Sequence, residues 1–273
     1  MEHRIYDPTR DREAAMRIWR ETGWIHSGTE ASFDPCVGAG RTLVADLAGT
    51  PECLVNTMPA TLRYLQEELR LSVVTAVTTS RPARKQGMAR RLTALAVALD
   101  AAEEAQIAGL GMFEQGFYNQ IGFGTGPNEH IVAFDPAQLN VQVRPRVPRR
   151  IGTDDWAIVH AARLRRACGH GAINAMPPQM TQAELLRSDN GFGLGYADGP
   201  NGELTHFFWC QAQAVERGPY FVPLMVYRTR EQFLELLALI KNLGDQVRLV
   251  RMFAPQGMLL QDLILHPFRQ RAA

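Results

Sequence analysis

The sequence is short of the residues that mark several large classes of protein. Lysine occurs only at Lys85 and Lys241, and 29 basic residues stand against 28 acidic ones, a net charge of +1. Nucleic-acid and anionic-membrane binders carry a basic excess, so neither partner is expected. The four cysteines, Cys36, Cys53, Cys168 and Cys210, form no CxxC pair. A zinc site therefore lacks its usual spacing, no metal is expected, and the cysteines read as free thiols. No run of about 18 apolar residues is present to cross a bilayer. The start, Met1-Glu2-His3-Arg4-Ile5, has no apolar signal region, so the expected location is the cytoplasm.

What is present suffices for a folded core: 46% of the 273 residues are hydrophobic. The length favours two domains over one. Apolar residues Ala14, Ala15, Ile18 and Trp19 at helical spacing predict a helix over 11–22, ended by Gly23. Strands are expected over 42–47, 53–57 and 69–79, the last rich in β-branched residues. A helix over 90–105, a strand over 107–113, a short helix over 117–121 and a strand over 131–134 follow. Residues 144–150, Arg-Pro-Arg-Val-Pro-Arg-Arg, read as an exposed linker. The second half begins again with a helix capped at Thr153-Asp154-Asp155 and a capping box at Thr181-Gln182-Ala183-Glu184. Strands over 192–196, 204–211 and 221–227, a helix over 230–243 and a strand over 247–253 complete an α/β pattern.

The best-defined feature is a strand ending at Thr79, a basic loop, and a helix. A helix N-terminus presents unpaired N–H groups and a positive dipole end, a ready seat for phosphate. Gly87 lets backbone approach phosphate oxygens closely. Arg84, Lys85, Arg90 and Arg91 add positive charge to the same end. The loop is neither a Walker loop nor a dinucleotide fingerprint, since GxxxxGK[ST] and GxGxxG are both absent. By itself it fits a phosphate seat or an ordinary surface turn.

Arg84-Lys85-Gln86-Gly87-Met88-Ala89 resembles the (Q/R)xxGx(G/A) loop of GCN5-related N-acetyltransferases. Ala76-Val77-Thr78-Thr79 is similar to the strand that precedes it there. Downstream, Phe117-Tyr118-Asn119-Gln120-Ile121-Gly122-Phe123 resembles the (F/I)YxxxG(F/Y) element. The closer resemblance is to the Eis-like (enhanced intracellular survival) subfamily, clear over about 1–135 and looser from about 150 to 268. It implies tandem acetyltransferase-like domains, each a mixed, mostly antiparallel sheet flanked by helices: a catalytic domain over 1–143 and a degenerate one over 144–273. It implies acetyl-CoA as co-substrate and an amine-bearing small molecule, such as an aminoglycoside, or a lysine side chain as acceptor. A homo-oligomer is compatible with it.

Carried over residue by residue, the resemblance puts Val77, Thr78 and Thr79 against the acetyl and pantetheine part. Arg84, Lys85, Gln86, Gly87, Met88, Ala89 and Arg90 fall on the pyrophosphate, and Phe113 and Glu114 beside the cofactor. Tyr118 matches the proton donor to the leaving thiolate. Phe117 and Phe123 read as core anchors, and His170 as a loop residue. Trp19, Trp24, Ile25, His26 and Phe33 fall where such enzymes form one wall of the acceptor cleft, and fit a core equally well. The subfamily pattern continues into a sterol-carrier-like domain whose terminal carboxylate is the base. This sequence ends at Ala273, so that base is not carried over, and a two-domain form or a fragment is expected. Glu114, Glu30 and His26 are the substitutes available, with bulk water if the amine binds neutral. A non-catalytic acyl-CoA-binding regulatory module is the alternative function, and a structural oligomeric subunit a third.

Overall fold

The computed structural model describes residues 2–112, 116–126 and 128–267. In chain order the elements are β1 (His3–Ile5), α1 (Pro8–Thr22), α2 (Phe33–Gly38), β2 (Arg41–Leu47), β3 (Thr50–Tyr64), β4 (Glu67–Thr79), α3 (Met88–Ala102) and β5 (Ile107–Gly109). They continue with β6 (Ile131–Phe134), β7 (Arg149–Ile151), α4 (Trp156–Leu164), β8 (Ile173–Asn174), α5 (Pro178–Leu186) and β9 (Gly191–Tyr196). The last four are β10 (His206–Ala212), β11 (Tyr220–Val226), α6 (Arg230–Lys241) and β12 (Val250–Phe253). Among the described residues no helix is long and apolar enough to cross a membrane.

The chain forms two compact units, Met1–Gly126 with Cys168–Arg187, and Pro127–Ala167 with Ser188–Ala273. The division differs from a single cut at 143/144: a stretch of the second half belongs to the first unit. Local pairing explains why. Ile173 and Asn174 of β8 pair with Leu62 and Thr61 of β3, and Ala183 of α5 joins the cluster around Trp19 and Phe33. Pro178 sits in the first turn of α5, so the helix begins before Thr181. Thr181 is fully buried within that helix rather than capping it. Proline's fixed φ and missing N–H suit a helix start, and that signal overrides the capping-box pattern.

The first unit's sheet runs β1-β2-β3-β4-β5, with β4 and β5 parallel and the other pairs antiparallel. Side chains alternate across it as strand geometry requires. Val44 and Leu54 pack with Trp19 and Phe33 on the α1 face, and Leu43, Ala45, Cys53 and Val55 with Met88, Leu92 and Ala96 on the α3 face. Polar ties fix α3: Asp100 accepts from Ser72 Oγ at 2.6 Å and pairs with Arg41 of β2.

The second unit repeats the arrangement in the order β6-β12-β11-β10-β9-β7, with β11 and β12 parallel and the other pairs antiparallel. The expected mixed, mostly antiparallel sheets with flanking helices are what the structure has. Its core gathers Phe208, Phe233, Leu236, Leu237 and Ile240. The stretch expected as a solvated linker is anchored: Arg146 pairs with Asp198 at 2.8 Å and Glu235 at 2.8 Å, lies over the Tyr196 ring, and accepts Tyr196 OH on its carbonyl.

The Arg146 side chain, with His206 Nε2 3.1 Å away, draws the Glu235 carboxyl down to about 2. A carboxylate whose folded pKa lies below its unfolded one, about 4.3, adds stability above the unfolded value. That contribution is lost as pH falls through the folded value. Urea denaturation between pH 7 and 2 should therefore show the native protein losing its advantage over Arg146→Met below about pH 4.3. Two parallel curves would remove this contact from the stability of the fold.

Candidate active site

The site begins with a β-bulge. Asn56 pairs with Thr75 and Leu54 with Thr78, so Ala76 and Val77 together stand opposite Val55. Ala76 takes the left-handed conformation, φ 51. The extra residue changes the alternation. Val74 packs toward α3 and Ala76 toward α1, although they stand only two positions apart. A bulge bends its strand and sharpens the local twist.

Along the other edge of β4 the ladder with β5 covers Leu71, Ser72 and Val73 alone, paired with Ile107, Ala108 and Gly109. Beyond Val73, β4 keeps β3 as its partner, and among the described residues no strand pairs with its second edge. An open edge presents backbone donors and acceptors to whatever lies beside it. Bulge and splay together leave a wedge at the end of β4.

The chain from β4 to α3 closes one side of that wedge. Ala83 and Met88 are each 1% exposed and pin the loop, leaving Arg84, Lys85, Gln86 and Gly87 on the surface. Lys85 and Gly87 both have positive φ, 61 and 74. Gly87 occupies the N-cap of α3 with no side-chain cap, so the first N–H groups of a fifteen-residue helix point outward without a local acceptor side chain. A Cβ at Gly87 would meet nothing within 4 Å; backbone conformation, not space, calls for glycine there.

A cavity of about 810 Å³ occupies the wedge. Val77, Thr78 and Thr79 line it from β4, and Arg84, Lys85, Gly87, Met88, Ala89 and Arg90 from the loop and helix start. Tyr118 lines it from a one-turn 3-10 helix, Tyr118–Ile121, which Gly122 ends at φ 94. Of the remaining expected positions, Gln86 is not on the wall; its amide donates to Pro82 O at 3.1 Å, closing the loop. Phe113 and Glu114 lie outside the described residues.

Several lining residues were not among the expected site residues: Glu21, Thr22, Arg81, Ala83, Gly116 and Gln120. Phe117 corrects an expectation. It lines the cavity half-buried, edge-on to Tyr118 with ring centres 5.0 Å apart; a side chain in a short turn at the cavity mouth has core on one side only. Phe123 packs against the α3-side core as expected. Of the aromatic stretch, Trp24 alone reaches the cavity. Trp19, Ile25 and Phe33 are buried in the α1-side core, with Trp19 and Phe33 edge-to-face at 4.8 Å. Glu30 and His26 are not on the wall; Glu30 accepts the Gly28 N–H at 2.8 Å. His170 accepts the Leu65 N–H at 3.1 Å and stands edge-on to Tyr64, holding the β3–β4 hairpin.

The second unit has the same strand relation with a different helix start. β12 pairs with β11 through Val222 and Met252, and a smaller cavity, 220 Å³, opens beyond that point. Thr229 caps α6, its side chain accepting from Gln232 N while Gln232 reaches back to the Thr229 N–H. Donors satisfied within the chain are not offered to a phosphate.

No protein-family model matches the sequence, and no curated protein does either. Solved structures do match in fold. The chain is similar to a GCN5-related N-acetyltransferase of Anabaena variabilis at TM-score 0.78 and 13% identity, over 96% of this chain and 68% of that one. It is similar to Eis1 of Mycobacterium abscessus at 0.75 and 16%, over 98% and 70%. It is similar to a GCN5-related N-acetyltransferase of Kribbella flavida at 0.72 and 17%, over 98% and 68%. The fold is therefore the tandem one of these N-acetyltransferases, through both units.

Placing a Cβ in the left-handed region costs about 1–2 kcal/mol. Gly87→Ala is expected to lower the unfolding free energy by about 1 kcal/mol in urea denaturation. An unchanged value would mean the loop relaxes without loss.

Proposed function

We propose that this chain transfers an acetyl group from acetyl-CoA to a primary amine, on a small molecule such as an aminoglycoside or on a lysine side chain. The observation that carries the reading is the single cavity shared by the free edge of β4, the uncapped start of α3 and Tyr118. The first unit is the catalytic one, and the second is degenerate. The capping of α6 by Thr229 and Gln232 supports one cofactor site per chain.

Acetyl-CoA fits these residues by chemistry: an anionic pyrophosphate for the helix start, an amide-bearing arm for the strand edge. Residues 84–90 hold the pyrophosphate through the N–H groups of the α3 start and the charges of Arg84, Lys85 and Arg90. The free edge of Val77, Thr78 and Thr79 holds the pantetheine amides, and a backbone N–H there receives negative charge at the acetyl oxygen. When bound, the cofactor supplies an activated acyl carbon. The neutral amine nitrogen forms the new C–N bond as the C–S bond breaks; the amine proton leaves to water, Tyr118 gives its phenolic proton to the sulfur, and water returns a proton to the tyrosinate. Trp24 and Phe117 border the acceptor side. Phe113 and Glu114 remain proposed cofactor contacts.

Calorimetry with acetyl-CoA on the intact chain tests the reading, and absence of binding at millimolar ligand sinks it. With binding in place, Tyr118→Phe should lower kcat about 100-fold and leave Kd within about twofold, since general acid catalysis contributes to turnover rather than to cofactor affinity. Binding without turnover across a panel of amines would select the non-catalytic acyl-CoA-binding module instead.

A further inference from the structure

Glu21 is an acidic residue in the last turn of α1, where the helix dipole disfavours negative charge. Nothing in the chemistry proposed above calls for it, yet it lines the same cavity. Both of its carboxylate oxygens are engaged. Oε1 accepts from Arg17 Nη1 at 3.0 Å, and Oε2 accepts from the backbone N–H of Arg81 at 3.0 Å. Arg17 in turn donates from Nη2 to Glu52 Oε1 at 3.0 Å and to Pro51 O at 3.2 Å. The Glu52 carbonyl accepts from Ser80 N at 2.9 Å. Three segments thus meet at the Glu21–Arg17 pair: the end of α1, the start of β3 through Arg17, and the first residues after β4 through the carboxylate.

We propose that Glu21 is a positioning residue that fixes the start of the phosphate loop through the Arg81 N–H and so sets the strength of cofactor binding. The inference rests on the acetyl-CoA reading for its ligand, but its geometry stands without one. The loop has two left-handed residues, Lys85 and Gly87, and two buried anchors, Ala83 and Met88. Glu21 supplies the third anchor at the end nearest β4. The Arg81 N–H, and after it Arg17, hold the carboxyl below its ordinary range against the opposing effect of burial. Glu21 is therefore ionised at neutral pH, with both carboxylate oxygens already engaged. The hydrogen bond is to backbone, and the charge of the Arg81 side chain adds a smaller attraction to the same carboxylate.

Amide hydrogen exchange and CoA calorimetry on the full chain separate the brace from the reading. Glu21→Ala should speed exchange over residues 81–88 without speeding it in the second unit, and should weaken CoA binding about tenfold, the loss of one charged hydrogen bond. Glu21→Gln keeps an acceptor for the Arg81 N–H and should restore the exchange protection, with affinity within about threefold of the native protein. In turnover, Glu21→Ala should raise KM for acetyl-CoA and leave kcat unchanged. Native exchange over 81–88 in Glu21→Ala overturns the brace, even where CoA still binds. A native protein that fails to bind CoA overturns the acetyltransferase reading, while faster exchange in the variant would still uphold the brace.

Discussion

The two extra-stacked residues Ala76 and Val77 are the constraint on which the first unit's site depends. A strand in regular register with β3 would put Val74 and Ala76 on the same face. The bulge instead turns Val74 to the α3 side and Ala76 to the α1 side, so one strand serves two cores within a few residues. The pairing of β4 with β5 ends at Val73, just before the bulge. A wedge between parallel strands would ordinarily be filled or paired, because open backbone groups away from water are costly. Here it is left as a cavity lined by strand edge, helix start and a tyrosine.

The helix that follows completes the wedge by what it omits. α3 begins at a left-handed glycine with no side-chain cap, whereas α6, in the equivalent place of the second unit, begins at a threonine and glutamine that satisfy each other's backbone donors. The connections differ as well: residues 80–87 in the first unit and 227–229 in the second. One architecture therefore yields a helix start without a side-chain cap in one copy and a closed, self-capped helix in the other. The difference rests on a few side chains at a helix terminus, where donors go either to the chain itself or to a ligand.

The loop residues, the strand end at Val77, Thr78 and Thr79, and Tyr118 were legible in the sequence because each is local. A glycine with positive φ, charges beside a helix start and an aromatic within a Gly-terminated turn all act over a few residues. Glu21 and Arg81 were not legible, since their contact spans sixty positions and neither has a local reason to be singled out. Phe117 was misplaced for the same cause: hydrophobicity predicts burial, but which side of a turn faces the core is decided by neighbours far along the chain. The aromatic stretch divided likewise, with Trp19 and Phe33 taken into the core and Trp24 left at the cavity.

By itself, then, the sequence determined most of the elements and their order, though not α2, β7 or β8, and the charge and glycine placement of one loop. It did so because periodicity, capping and turn residues are short-range properties. Tertiary structure decided the rest. It drew residues 168–187 into the first unit through β8 and α5, anchored Arg146 on Asp198 and Glu235, and opened the cavity beside β4. These depend on strand register and on side chains meeting across long separations, and a register shifted by one residue changes every face at once.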